Sequence, residues 1–357
     1  MKDVKDLKIS MGYVPSEDIE IEKQKLDRFL VHKDNIYDFH FSHYNMLKVP
    51  SGRLIPVKKE SLLNFINLNQ NEYGFKLTLL LNAKYDNLDE VLDMYRNIYY
   101  PLGVKSVCIS DIELIRKFKE NFDDVEIQGS CLSYRMIESE LQEEREAGVV
   151  LHNPRMEIIR DTEQLKKNYL AGYRQKVLFS EGCLNYCPFE PLHRKSIENG
   201  SGQLNFDCQD LLMENPLYFL KASWITINRL RDISDYIDVI KISRTAGYHF
   251  NDFRSNETLE NFLDIYENNY NYNILNFMRN SYSNYLKNLV KNIPSKLFDT
   301  EFFEKIEKCE IEDCKTCGKC EHILNVIYNK AKDEMLKTWE GEEKYARKLY
   351  SNSQNNE

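Results

Sequence analysis

From about residue 34 onward, short runs of β-type residues alternate with amphipathic helical stretches. This alternation restricts the fold to parallel strands joined by helical crossovers. Eight strands are expected: 36–42, 76–82, 104–110, 125–132, 149–153, 175–180, 218–222 and 239–243. Helices are expected at 86–99, 112–121, from 133 through 146, and at 257–266. Eight strand–helix units is the number that closes a TIM-type barrel, so the expected fold is α/β, a (β/α)8 barrel over residues 1–270. Beyond Tyr270 the strand pattern stops, and residues 271–357 read as a helical, cysteine-rich C-terminal appendage.

Composition supports one large core: 42% of the 357 residues are hydrophobic, with 23 Tyr, 18 Phe and 2 Trp. The formal charge of −9, with Lys and Glu mixed along most helices, argues against a nucleic-acid footprint, which needs a basic face. The first eight residues are polar and no run approaches the apolar length of a membrane span, so a cytoplasmic chain without membrane insertion is expected. Nine cysteines in a reducing compartment bind metal or do chemistry more often than they form disulfides.

Barrel active sites are assembled at the carboxyl ends of the strands. Those ends carry His40, Ser42, His43, Asn82, Ser110, Asp111, Ser130, Cys131, Asn153, Glu181, Cys183, Ser223, Trp224, Ser243 and Arg244. The plainer account of the Ser, Asp and Asn residues is that they cap the helices that follow. Cys183 and Cys187 stand four apart directly after the sixth strand, and Cys208 falls before the seventh, so three thiols can return to one side of the barrel. Soft thiolates select an iron–sulfur cluster or zinc. His193 lies near the same mouth. In the appendage, Cys309, Cys314, Cys317 and Cys320 form a C-x4-C-x2-C-x2-C array, suited to a cluster or to zinc. This array either binds its own centre or donates a fourth ligand, with Cys317 the choice, to the site of Cys183, Cys187 and Cys208. Cys108 and Cys131 read as buried core thiols within strands. A radical S-adenosylmethionine enzyme would need cysteine where Glu190 stands.

The segment Leu178-Phe-Ser-Glu-Gly-Cys-Leu-Asn-Tyr-Cys-Pro-Phe189, followed by His193, resembles the cysteine segment of divergent members of the collagenase-like peptidase superfamily, family U-thirty-two. Residues 220–230 resemble the family's strand-seven segment, and residues 236–245 its strand eight. The resemblance implies a barrel with a four-iron (4Fe-4S) cluster. It also implies an activity like that of the oxygen-independent hydroxylases, acting on a small molecule or biosynthetic intermediate. Under it, Cys183, Cys187 and Cys208 hold the cluster and Arg244 binds an anionic group. This chain has Thr226-Ile-Asn228 where the family shows Arg-Pro-Glu, which leaves the substrate open. No Ser/His/Asp arrangement or HExxH helix is legible, so protease activity is not expected. The expected catalytic set is Arg244, His40, His43, Glu181 and His193. The alternative is a metal-stabilised binding or scaffold subunit, with a protein partner in a biosynthetic complex.

Overall fold

The computed structural model describes residues 2–44, 57–180, 183–185, 187, 189, 192, 195, 217–242, 254–277, 293–307, 320–323, 325–327 and 329. Its strands are β1 (Ile9–Gly12), β2 (Ile36–Ser42), β3 (Leu77–Leu81), β4 (Ser106–Ile109), β5 (Glu126–Gly129), β6 (Lys176–Phe179) and β7 (Val239–Ile242). All pair in parallel, in the order β5-β4-β3-β2-β1-β7-β6. The helices are α1 (Ile19–Leu30), α2 (Lys59–Leu68), α3 (Leu88–Met94), α4 (Ile112–Asn121), α5 (Glu138–Ala147), α6 (Thr162–Leu170), α7 (Leu217–Leu220), α8 (Ile227–Ile233), α9 (Arg254–Asn268) and α10 (Thr300–Glu307). They surround a curled parallel sheet, a TIM-like α/β arrangement.

Two expected strands come out differently, and one strand is unexpected. The expected strand at 218–222 is absent: residues 217–220 form one helical turn, because the Arg160 guanidinium, rather than a neighbouring strand, takes the carbonyls of Leu220 (2.8 Å) and Trp224 (2.9 Å). In its place the sheet uses β1, which the sequence pattern hides. That strand has four residues, and its inward position is the polar Ser10, so no apolar run marks it. The expected strand at 149–153 is reduced to single-residue bridges, Gln128↔Leu151 and His152↔Gln175. Val150 N donates to Ile127 O (3.0 Å) and Lys176 N to His152 O (2.7 Å), so this short segment bonds to both edge strands of the sheet.

A buried hydrogen-bonded pair fastens that segment. Glu144 on α5 accepts from His152 Nδ1 (2.9 Å) and from Ser133 Oγ (3.0 Å), with both members of the pair almost fully buried. Gly129 at the end of β5 leaves room for it: a Cβ there would lie 2.8 Å from a Glu144 carboxylate oxygen. Gly129→Ala is therefore expected to cost about 1–3 kcal/mol, as overpacking at a fixed site does, in a urea-unfolding comparison with the parent protein. An unchanged midpoint would show that Glu144 swings away freely.

The outward side chains of the sheet meet the helices through aromatic contacts. Phe39 packs on Tyr13 and on Phe75 (both 4.9 Å between centroids), and Tyr13 stacks on Phe65 (4.4 Å). Each such pair adds about 0.5–1.5 kcal/mol beyond the area it buries. Side-chain caps start the helices: Asp18 accepts from Glu20 N (2.8 Å), Asp161 from Gln164 N (2.9 Å) and Asp111 from Glu113 N (2.9 Å). The described part of the appendage packs against the same body. Trp224 meets Phe298 and Phe303 edge-on, and Arg229 pairs with Glu307 at 2.8 Å. Among the described residues no helix is long and apolar enough to cross a membrane.

Candidate active site

Alternation along the strands decides which residues line the interior of the curled sheet. Ser10 pairs in register with Asp38 on one side and Lys241 on the other, and Thr78 with Ser106, so these side chains share the inward face. The lower part of this interior is a closed polar network. Lys176 Nζ donates to Asp38 Oδ2 (3.1 Å) and to Gln128 Oε1 (2.7 Å). Thr78 Oγ1 donates to Asp38 Oδ2 (2.7 Å), as does Gln128 Nε2 (2.9 Å), and Ser10 Oγ donates to Asp38 Oδ1. Asp38, Gln128 and Lys176 are fully buried. Burial pushes the Asp38 carboxyl up, but Lys176, His40 and the hydrogen bonds from Ser10 and Gln128 outweigh it and hold the group well below the ordinary carboxylate range. Nearer the amino ends of the strands, Lys76 pairs with Glu126, and Tyr37 donates to the same carboxylate (3.0 Å).

Above this network lie His40, Cys108 and Lys241. His40 Nδ1 sits 3.2 Å from Ser10 Oγ. Cys108 is buried, its thiol pushed up by burial and donating to Gly129 O (3.3 Å), as a core thiol should. Cys131 is a correction: it opens a short 3-10 turn after β5 and is only half-buried, because Ser130 Oγ caps that turn and ends the strand.

The carboxyl ends of the strands separate the two accounts of the rim residues. Asp111 and Ser130 accept hydrogen bonds from the backbone of the turn that follows, so they are caps. Ser42, Asn82 and Asn153 are not. Each is more than 90% buried, yet Ser42 Oγ, Asn82 Oδ1 and both side-chain polar atoms of Asn153 have no partner among the described residues. Buried polar atoms left without partners cost about 1–3 kcal/mol each, and in native proteins such groups belong to places that meet water or a ligand. Beside them, His43 Nδ1 bonds with the Tyr99 hydroxyl. Tyr99 ends a π-helical turn, Tyr95–Tyr99, a distortion common at functional sites. Burial, with Lys59 as a second cause, lowers His43 to about 4, so its imidazole is neutral at neutral pH.

At the end of β6 the backbone is strained. Ser180 holds φ +51°, a left-handed conformation unfavourable for a residue with a Cβ, and is locked by its hydroxyl bond to Ile225 O (2.8 Å). Cys183 follows three residues later and is half-buried. Its carbonyl accepts from Ser223 N (2.7 Å), and Leu184 bridges Ala222. Cys187 is half-buried against the core. Both thiols thus leave β6 at the same end as Ser42, Asn82 and Asn153. Cys320 of the appendage packs against the core and lies within electrostatic reach of Arg160, which binds the 220–224 segment that Cys183 bonds. Among the described residues no three His, Cys, Asp or Glu groups converge as metal ligands. Glu181, His193, Cys208, Arg244, Cys309, Cys314 and Cys317 lie outside the described residues.

Lys241, absent from the expected site residues, is a lysine inside the apolar run Val239-Ile-Lys-Ile242, at an inward register.

No family model and no curated protein matches the chain. Among solved structures, the U32 peptidase Mk0906 is similar over 68% of this chain and 94% of its own, at 10% identity and a TM-score of 0.48. The chain is also similar to 2,3-dimethylmalate lyase, a PEP mutase/isocitrate lyase superfamily member, over 67% of this chain and 76% of the other, at 11% identity and a TM-score of 0.37. Neither likeness assigns an activity to this chain.

Proposed function

We propose that the chain is an iron–sulfur-dependent barrel enzyme, of the oxygen-independent hydroxylase or a related redox or group-transfer type, acting on a small biosynthetic substrate. In this reading the barrel closes with eight strands, segment 149–153 serving as the one between β5 and β6. The observation that carries the enzyme reading is the trio of buried, unpartnered polar side chains, Ser42, Asn82 and Asn153, at the carboxyl ends of the strands. A scaffold has no use for them, because apolar residues there would be more stable. A substrate with hydroxyl and carbonyl groups would satisfy them.

The cluster part of the proposal rests on donor chemistry. Cys183 and Cys187 offer two half-buried thiols at the same mouth, and Cys208 is the proposed third ligand. The fourth position falls to the appendage, where Cys317 remains the sequence choice and Cys320 is the one with a described place against the body. When bound, such a cluster supplies electrons or an open iron to the substrate. Zinc is the alternative metal at the appendage cysteines.

Anaerobic purification of the full chain should yield a brown protein with visible absorbance near the cluster range and both iron and acid-labile sulfide. Cys183→Ala and Cys187→Ala should each lose that absorbance, because a methyl group cannot ligate iron. Full retention of iron and sulfide in both variants, or their absence from the parent, would overturn the assignment. Cys108→Ala should keep the metal.

A further inference from the structure

We propose that Lys241 is the anion-binding residue of the site, and that the ligand is a small anion which also carries a hydroxyl group. This deepens the enzyme reading above and rests on it for the location of the substrate, but not on the iron–sulfur cluster. Lys241 stands one residue before the end of β7, on the inward face shared with Ser10, and is only 8% exposed. It has no hydrogen-bond acceptor and no carboxylate partner among the described residues. Its charged surroundings are Lys176, a second cation, and the Cys108 thiol. Among the described residues the one interior carboxylate at this level, Asp38, is engaged by Lys176. Lys76 and Glu126 neutralise each other below. The described interior thus holds Asp38 against Lys176 and Lys241, one positive charge in excess.

An ammonium with no acceptor, in an interior of net positive charge, is a natural seat for an anion, which neutralises it. The unpartnered atoms at the rim specify more than charge. Asn153 Nδ2 and Ser42 Oγ can donate, whereas Asn82 Oδ1 and Asn153 Oδ1 can only accept. A bare oxyanion leaves the two acceptors empty, and a ligand with an O–H group beside its anionic oxygens fills both kinds.

Inorganic phosphate has both features at neutral pH, and sulfate has the anionic oxygens alone. Calorimetric titration of the full chain at fixed ionic strength should show saturable phosphate binding, at least ten-fold tighter than sulfate. Malate tighter than succinate would identify a hydroxycarboxylate source, and phosphate alone a phosphoryl source. Lys241→Met, which keeps the length of the side chain and removes its charge, should weaken phosphate binding at least ten-fold with the unfolding midpoint kept or raised. Asn153→Leu should erase the preference for phosphate over sulfate. Equal phosphate affinity in Lys241→Met and the parent, or no saturable binding of any of the four anions, would overturn the proposal. Iron and sulfide content, measured on the same samples, reports separately on the cluster.

Discussion

Asp38→Asn is expected to destabilise the protein by about 3–5 kcal/mol, the range for removing one member of a buried ion pair. The Asp38 carboxylate accepts from Ser10, Thr78, Gln128 and Lys176, and every one of those donors is buried. An amide keeps the volume but loses the charge and turns one acceptor into a donor facing donors. Lys176 is then left without a carboxylate, in an interior that already holds Lys241. Urea unfolding measures the loss. The companion variant Lys176→Met in the Asp38→Asn background should recover much of it, since no half of the pair is left charged. A loss below about 1 kcal/mol for Asp38→Asn would mean that water reaches the network and screens it.

This network explains which parts of the molecule could be read from the sequence. The strands whose outer and inner faces are both mainly apolar, such as β3 (Leu77–Leu81), announce themselves as continuous runs. β1 does not, because its inward Ser10 serves the Asp38 network and its four residues carry no period. Residues 218–222 mislead in the opposite way. Their aromatic and aliphatic run suggests a strand, but their carbonyls are claimed by Arg160, sixty residues away in sequence, a partner no local pattern reveals. The same holds at the site. The position of the mouth and the presence there of His40, His43, Asn82, Asn153 and Cys183 follow from strand ends alone. Whether a rim residue caps a helix, like Asp111, or faces the interior unpartnered, like Asn153, depends on tertiary contacts.

His43 supplies the largest expected pH effect. Its imidazole lies at about 4 in the folded protein, against an ordinary value of 6.5, first because it is buried and second because Lys59 opposes a further positive charge. Above pH 6.5 both folded and unfolded chains carry a neutral ring, so His43 contributes nothing to the pH dependence. Between pH 6.5 and 4 the unfolded chain takes up a proton that the folded one refuses, and stability falls with pH. The full difference is about 3 kcal/mol, of which about 2 kcal/mol is lost by pH 5. The bond between His43 Nδ1 and the Tyr99 hydroxyl acts in the same direction, since a neutral ring nitrogen accepts that hydroxyl's proton. His43→Gln keeps an acceptor for Tyr99 and removes the titration. Carboxylates elsewhere titrate in both proteins, so the informative quantity is the change in unfolding free energy from pH 7 to pH 5 in the parent minus that in the variant. It should be about 2 kcal/mol, with the parent losing more. Equal losses in the two proteins would place the acid sensitivity elsewhere and show that the His43 ring is protonated in the folded state at pH 5.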